Sequence, residues 1–289
     1  MAKAGLLFVG TDDGLVLFSN PNEIGRWLKI GQPFRGASVR AVWAVPDQPL
    51  RVFAAVDGLG VQQSDDGGQQ WQALFDWPAQ AIAGTAAGEV YIRAAEHIWV
   101  SRDQGNMWAQ VPLPGPAAAL ALLGTHIYAS VGTEVVFSVD GGVSWARYGS
   151  LLPAAAERVA ATPQQVGQVY AVAGGALYTC AAADDEWAAV ANAPQSNGPI
   201  AALPGQNRAL LIGQATGGIV RSDDAGARWN VVLPEHRVSV IVPASYHADT
   251  VFAGGSDGQL WGSTDRGRGW QAMKSGLPAI TSIAAARLL

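Results

Sequence analysis

Arg40, Arg158 and Arg237 are the arginines whose spacing invites a common site. Arg40 stands six residues before Pro46, Arg237 six before Pro243, and Arg158 five before Pro163. Guanidinium groups gathered at one mouth would offer the planar, permanently charged fork that carboxylate, sulfate and phosphate bind. The plainer reading is that strands end there in solvent and tolerate arginine. A second set is Asp13-Gly14, Asp57-Gly58 and Asp257-Gly258. Paired carboxylates at a suitable separation do general acid and base work on a glycosidic bond. Asp-Gly is also what a two-residue hairpin turn demands, and the turn reading is preferred. Trp77, in Asp76-Trp77-Pro78, carries an indole that would stack on a sugar, anchor a protein partner or pack over a sheet edge.

Other chemistries find little support. His97, His126, His236 and His247 show no ligand spacing, so no metal is expected. The single cysteine, Cys180, has no internal disulfide partner and reads as a small buried residue. No cofactor is implied. Charged residues make up 14% of the chain, the net charge is -5, and the 18 Lys and Arg are scattered, which argues against a nucleic-acid partner. The apolar run Leu6 to Val9 is shorter than the core of an export signal, and no run approaches a membrane span. The expectation is a cytoplasmic monomer, although a chain trimmed of an export signal would read the same.

The elements that must position these residues are set by a repeat. Ser64, Asp66, Gly68 and Trp71 spell S-x-D-x-G-x-x-W, and the spacing returns at Ser101, Asp103, Gly105 and Trp108, at Ser138, Asp140, Gly142 and Trp145, at Ser222, Asp224, Gly226 and Trp229, and at Ser263, Asp265, Gly267 and Trp270. Two degenerate copies complete the series. Cys180 and Trp187 keep the offset around Ala182 and Asp184, and Ser19 and Trp27 lie one residue further apart. The period of about 41 residues falls among repeat architectures. Before each box lies a β-rich run, as at Arg51–Val56, Ile127–Val131 or Val251–Ala253, so each unit reads as an antiparallel meander. Within the box, Ser and Asp can accept backbone N–H groups, Gly permits positive φ, and the tryptophan is expected to fill space between layers. The box aspartates are therefore read as structural, not catalytic. With 49% hydrophobic residues the chain can bury a sizeable core.

This pattern resembles the Asp-box, or BNR, repeat of sialidase-like and related β-propellers, over essentially the whole chain. The expectation is an all-β, seven-bladed propeller of four-stranded antiparallel blades filling residues 1–289 as one domain, its repeats ending near Trp27, Trp71, Trp108, Trp145, Trp187, Trp229 and Trp270. The first repeat lacks an innermost strand, and residues 280–286 are expected to supply it, hiding sheet edges. Sialidases are similar in their boxes but carry a Phe/Tyr-Arg-Ile-Pro segment absent here. Xyloglucanase-type glycosidases are similar in their repeats but place catalytic carboxylates between two propellers. The seven-bladed photosystem II assembly and stability factors are similar in blade number, length and box content, and that resemblance implies a non-catalytic scaffold presenting one face to a protein or anionic partner. A carbohydrate-binding or glycoside-hydrolysing propeller is the alternative. The short units leave no large insertion to build a substrate pocket, which favours binding over catalysis.

Overall fold

The computed structural model describes residues 4–21, 26–85, 87–162, 168–182, 185–204 and 208–288. Pro163 and Asp184, which entered the reading above, lie outside them. The described strands form seven four-stranded antiparallel sheets, the blades of a propeller. In blades two to seven the strands follow in chain order. Blade one is composite: the C-terminal strand Ile280–Leu288 is innermost, followed by Ala4–Thr11, Gly14–Pro21 and Leu28–Gly31. Register runs from Ala4 opposite Leu288 to Thr11 opposite Ile280, so both chain ends are tied into one sheet. No helix of the described residues is long and apolar enough to cross a membrane.

Why these segments are strands is visible in their burial. Each blade is covered on both faces by neighbours, so second strands such as Val52–Val56 and Val169–Ala173 are apolar and buried along their length rather than alternating. Toward the axis the sheets converge and space shrinks. The innermost strands Ala79–Gly84, Ala117–Leu123 and Ala156–Ala161 accordingly read AQAIAG, AAALALL and AERVAA.

The packing between blades uses the box tryptophans and adds a second set of residues. The box tryptophans Trp71, Trp108, Trp145, Trp229 and Trp270 are only half-buried. Those of blades two, three and four donate their indole N–H to the carbonyl of their own box glycine, at 3.0, 3.1 and 3.2 Å. They cap the turn that precedes them. Each box tryptophan still packs against the apolar cluster between its own blade and the preceding one, and the fully buried wedges there are a ring of second-strand residues. Phe53, Tyr91, Tyr128, Leu211 and Phe252 each follow the residue opposite a box serine, and Tyr170 follows the partner of Cys180. Phe8 takes the same place in blade one, three residues before Thr11 as Phe53 is before Val56. All seven are at most 2% exposed, and each packs into the blade that follows.

Candidate functional site

The box itself is built as its residue types demand. In blade four Ser138 Oγ donates to Asp140 Oδ1 at 2.7 Å and accepts the Gly142 amide at 2.8 Å. Asp140 in turn accepts the amides of Val143 and Ser144 and the Ser144 hydroxyl. The same Ser to Asp bond spans 2.8, 2.8, 2.9 and 2.8 Å in blades two, three, six and seven. Every box carboxyl is held below the ordinary carboxylate range by these donors. The Gln70 amide leads at Asp66, the Met107 amide at Asp103, the Ser144 hydroxyl at Asp140 and the Arg228 amide at Asp224. At Asp265 burial pushes the other way, and the amides of Gly269 and Arg268 with the Ser263 hydroxyl outweigh it. Carboxylates saturated by their own turn are anchors. In blade five Cys180 Sγ reaches the carbonyl of Ala182 at 2.9 Å, and Trp187, 9% exposed, turns inward to bond the carbonyl of Tyr148.

The opposite face carries the loops that enter the innermost strands, and there the sheets share one irregularity. In blades one, two, three, four, five and seven the innermost strand begins with a β-bulge, and the extra residues are Thr281, Arg40, Gln80, Ala118, Glu157 and Ser239. A bulge leaves its residue unpaired and re-aims its side chain. Two of these stitch neighbouring blades together. Ser239 Oγ of blade seven donates to the carbonyl of Ile280 in blade one at 2.5 Å, and Thr281 Oγ1 donates to the carbonyl of Val39 in blade two.

This register separates the arginines that the prolines aligned. Arg40 is itself a bulge residue, Arg158 pairs with Val172 just after a bulge, and Arg237 precedes Val238, the first residue of its innermost strand. Arg40 is engaged within its own blade: its Nε and Nη2 bond Asp57 Oδ2 at 2.8 and 2.5 Å, and this bond raises the Arg40 pKa. The three aspartates do occupy turns between the second and third strands, and their blades are neighbours through the closing strand. Each has a local partner. Asp13 Oδ1 accepts the Gly36 amide at 2.7 Å, Asp57 binds Arg40, and Asp257 Oδ1 accepts the Gln259 amide at 3.1 Å while its other oxygen lies 3.4 Å from His236 Nδ1. Among the described residues, the six carboxyls whose acidity is shifted, the five box aspartates and Asp223, all shift downward. None of these is poised as a general acid.

A residue that sequence reasoning passed over is the most unusual on this face. Arg93 lies one residue before the end of its second strand, where other blades carry Gly10, Ala55, Ser130, Val172 and Gly254. Its side chain is half-buried, and its Nε is buried without a hydrogen-bond partner. Burial, and then the positive charge of Arg158, lower its pKa, and Glu96 offsets them in part. The signal was present in the sequence, as one arginine in an otherwise apolar strand. It was hidden because the positions equivalent to it emerge only once the bulges fix the register. Trp77 also lies on this side, in the loop into blade three. It is 50% exposed and meets Trp99 edge-on at 5.1 Å, with Phe75 at 5.7 Å. Among the described residues no group of three His, Cys, Asp or Glu could hold a metal.

No protein-family model matches the chain, and no curated protein matches it. Solved structures do. YCF48 bound to D1 peptide superposes with a TM-score of 0.66 at 18% identity, covering 86% of each chain. YCF48 from Cyanidioschyzon merolae gives 0.63 at 15% identity, covering 87% of this chain and 90% of that one. An ancestral GH74 enzyme gives 0.66 at 19% identity, covering 86% of this chain but only 38% of the enzyme. At these identities the likeness is one of fold alone.

Proposed function

We propose that this chain is a non-catalytic interaction platform, and that the face bearing the bulges receives an acidic segment of a protein partner. The observation that carries this reading is Arg93. A guanidinium that is half-buried, lacks a partner for Nε and lies under the charge of Arg158 is costly unless an anion satisfies it. Trp77, half-exposed over an aromatic cluster on the same face, has the amphipathic shape of an interface anchor. That a YCF48 structure is described as bound to a D1 peptide supports a peptide-sized partner on such a scaffold. The hydrolytic alternative, which the GH74 likeness keeps in view, is disfavoured because Asp13, Asp57 and Asp257 are each spent on a local contact.

The test is capture of partners from the host by the immobilised wild-type chain and by the Arg93→Gln/Arg158→Gln double variant. A specific partner retained by the wild type and lost by the variant supports the reading. Equal capture by both overturns the assigned site, and turnover of any member of a panel of chromogenic glycosides overturns the non-catalytic reading.

A further inference from the structure

A cleft of about 750 Å³ opens at the seam between blades seven and one, on the side of the boxes. Where the following blade carries the full box, the seam on this side is closed by its glycine, whose bare Cα lets an aliphatic side chain of the preceding blade close in. Gly68 meets Leu17, Gly105 meets Leu74, Gly142 meets Val111 and Gly226 meets Val190. Blade one has no such box in its sequence: counted from Ser19, Pro21 stands at the aspartate position and Glu23 at the glycine position. The walls of the resulting cleft are chemically mixed. Trp27, Trp270 and Phe252 supply aromatic surface, and Arg26 and Arg287 supply positive charge, the latter with its guanidinium over the Tyr246 ring. The carboxylate that also lines the cleft, Asp265, is taken up by the amides of its own turn. Asn20, 7% exposed, brings a buried Oδ1 with no hydrogen-bond partner, and the indole N–H of Trp270 is likewise unpartnered.

We infer that this cleft binds a small aromatic carboxylate bearing a hydrogen-bond donor. The ring lies against the indole walls, the donor meets Asn20 Oδ1, and the carboxylate is drawn to the arginines. The volume is that of an ordinary small-molecule site. A buried acceptor left without a partner costs free energy that a ligand donor would offset. The inference goes beyond partner binding at the opposite face and does not depend on it.

The probe is 4-hydroxyphenylacetate, followed by calorimetry and ligand-observed NMR. Phenylacetate serves as the analogue without the donor and 4-hydroxyphenylacetamide as the analogue without the charge. The expected result is saturable binding of the acid, with each analogue about tenfold weaker. Arg26→Gln should weaken the acid by about fivefold or more and leave the amide unchanged. Thr264→Trp, at an exposed position on the rim, should abolish binding of all three with an unchanged melting temperature. Absence of binding to the wild type, equal affinity for acid and amide, or binding that survives Thr264→Trp would overturn the inference.

Discussion

Ser138 and Asp140 are joined by a 2.7 Å hydrogen bond in which the hydroxyl donates, and the same hydroxyl accepts the Gly142 amide, so one side chain fixes both ends of the turn. The bond helps to hold the Asp140 carboxyl well below its ordinary range. A carboxyl depressed in the folded state stabilises it above the unfolded pKa of about 4, and that stabilisation is lost as pH falls toward the folded value. With five boxes depressed together, the melting temperature is expected to be flat near neutrality and to fall from about pH 4 downward. Ser138→Ala should lower the plateau and shallow the acid slope. Thermal melts across a pH series check both.

The ring of second-strand wedges makes a prediction that the tryptophan repeat alone would reverse. Phe53→Ala, at a 1% exposed site between blades two and three, is expected to cost about 3–5 kcal/mol. Trp145→Ala removes a larger side chain that is half exposed and bonded to its own turn, and should cost less, about 1–2 kcal/mol. Urea denaturation of the two variants decides the order.

Blade one depends on its borrowed strand. Ala285, 8% exposed, pairs with Leu7 in the middle of the closing sheet. Ala285→Asp places an unpaired carboxylate between buried faces, a change expected to cost several kcal/mol, of order 3 or more. The variant should lose its cooperative melt or aggregate through the exposed edge of Ala4–Thr11, which light scattering during thermal unfolding would register.

Arg40 and Asp57, both substantially exposed, form the kind of surface pair that contributes about 0–1 kcal/mol. Arg40→Ala should therefore leave the denaturation midpoint nearly unchanged. A double-mutant cycle with Asp57→Asn measures the coupling directly, and the value should shrink in high salt.

Much of the architecture was legible because it rests on local chemistry. Ser, Asp and Gly at fixed offsets can satisfy a tight turn in few ways, so the boxes, the meanders between them and the surplus strand at residues 280–286 could be read from spacing. Two things could not. Tryptophan is conspicuous in composition, yet the fully buried wedges are Phe, Tyr and Leu in runs where their neighbours are equally apolar and equally buried, and only the seam they face distinguishes Phe53, packed toward blade three, from Val52, packed toward blade one. The register of the arginines was obscured by prolines that are not equivalent. Pro243 pairs with Val251 inside its strand, whereas Pro46 falls in the turn after Val45. The bulge residue adds a further offset that no periodicity announces, so the position of Arg93 follows from the fold and not from the repeat.

The pairing of Ala4 with Leu288 also has a temporal meaning. As the polypeptide leaves the ribosome, Ala4–Thr11 emerges without the neighbour that will complete its sheet, and it must wait for residues 280–288 to be translated. Six sheets can assemble while synthesis continues, but the circle locks only once residues 280–288 have emerged. Protection of Ala4–Thr11 against amide exchange should therefore be the last step in the assembly of the ring, and any product stalled before residue 280 should present an adhesive flank to the cell's chaperones.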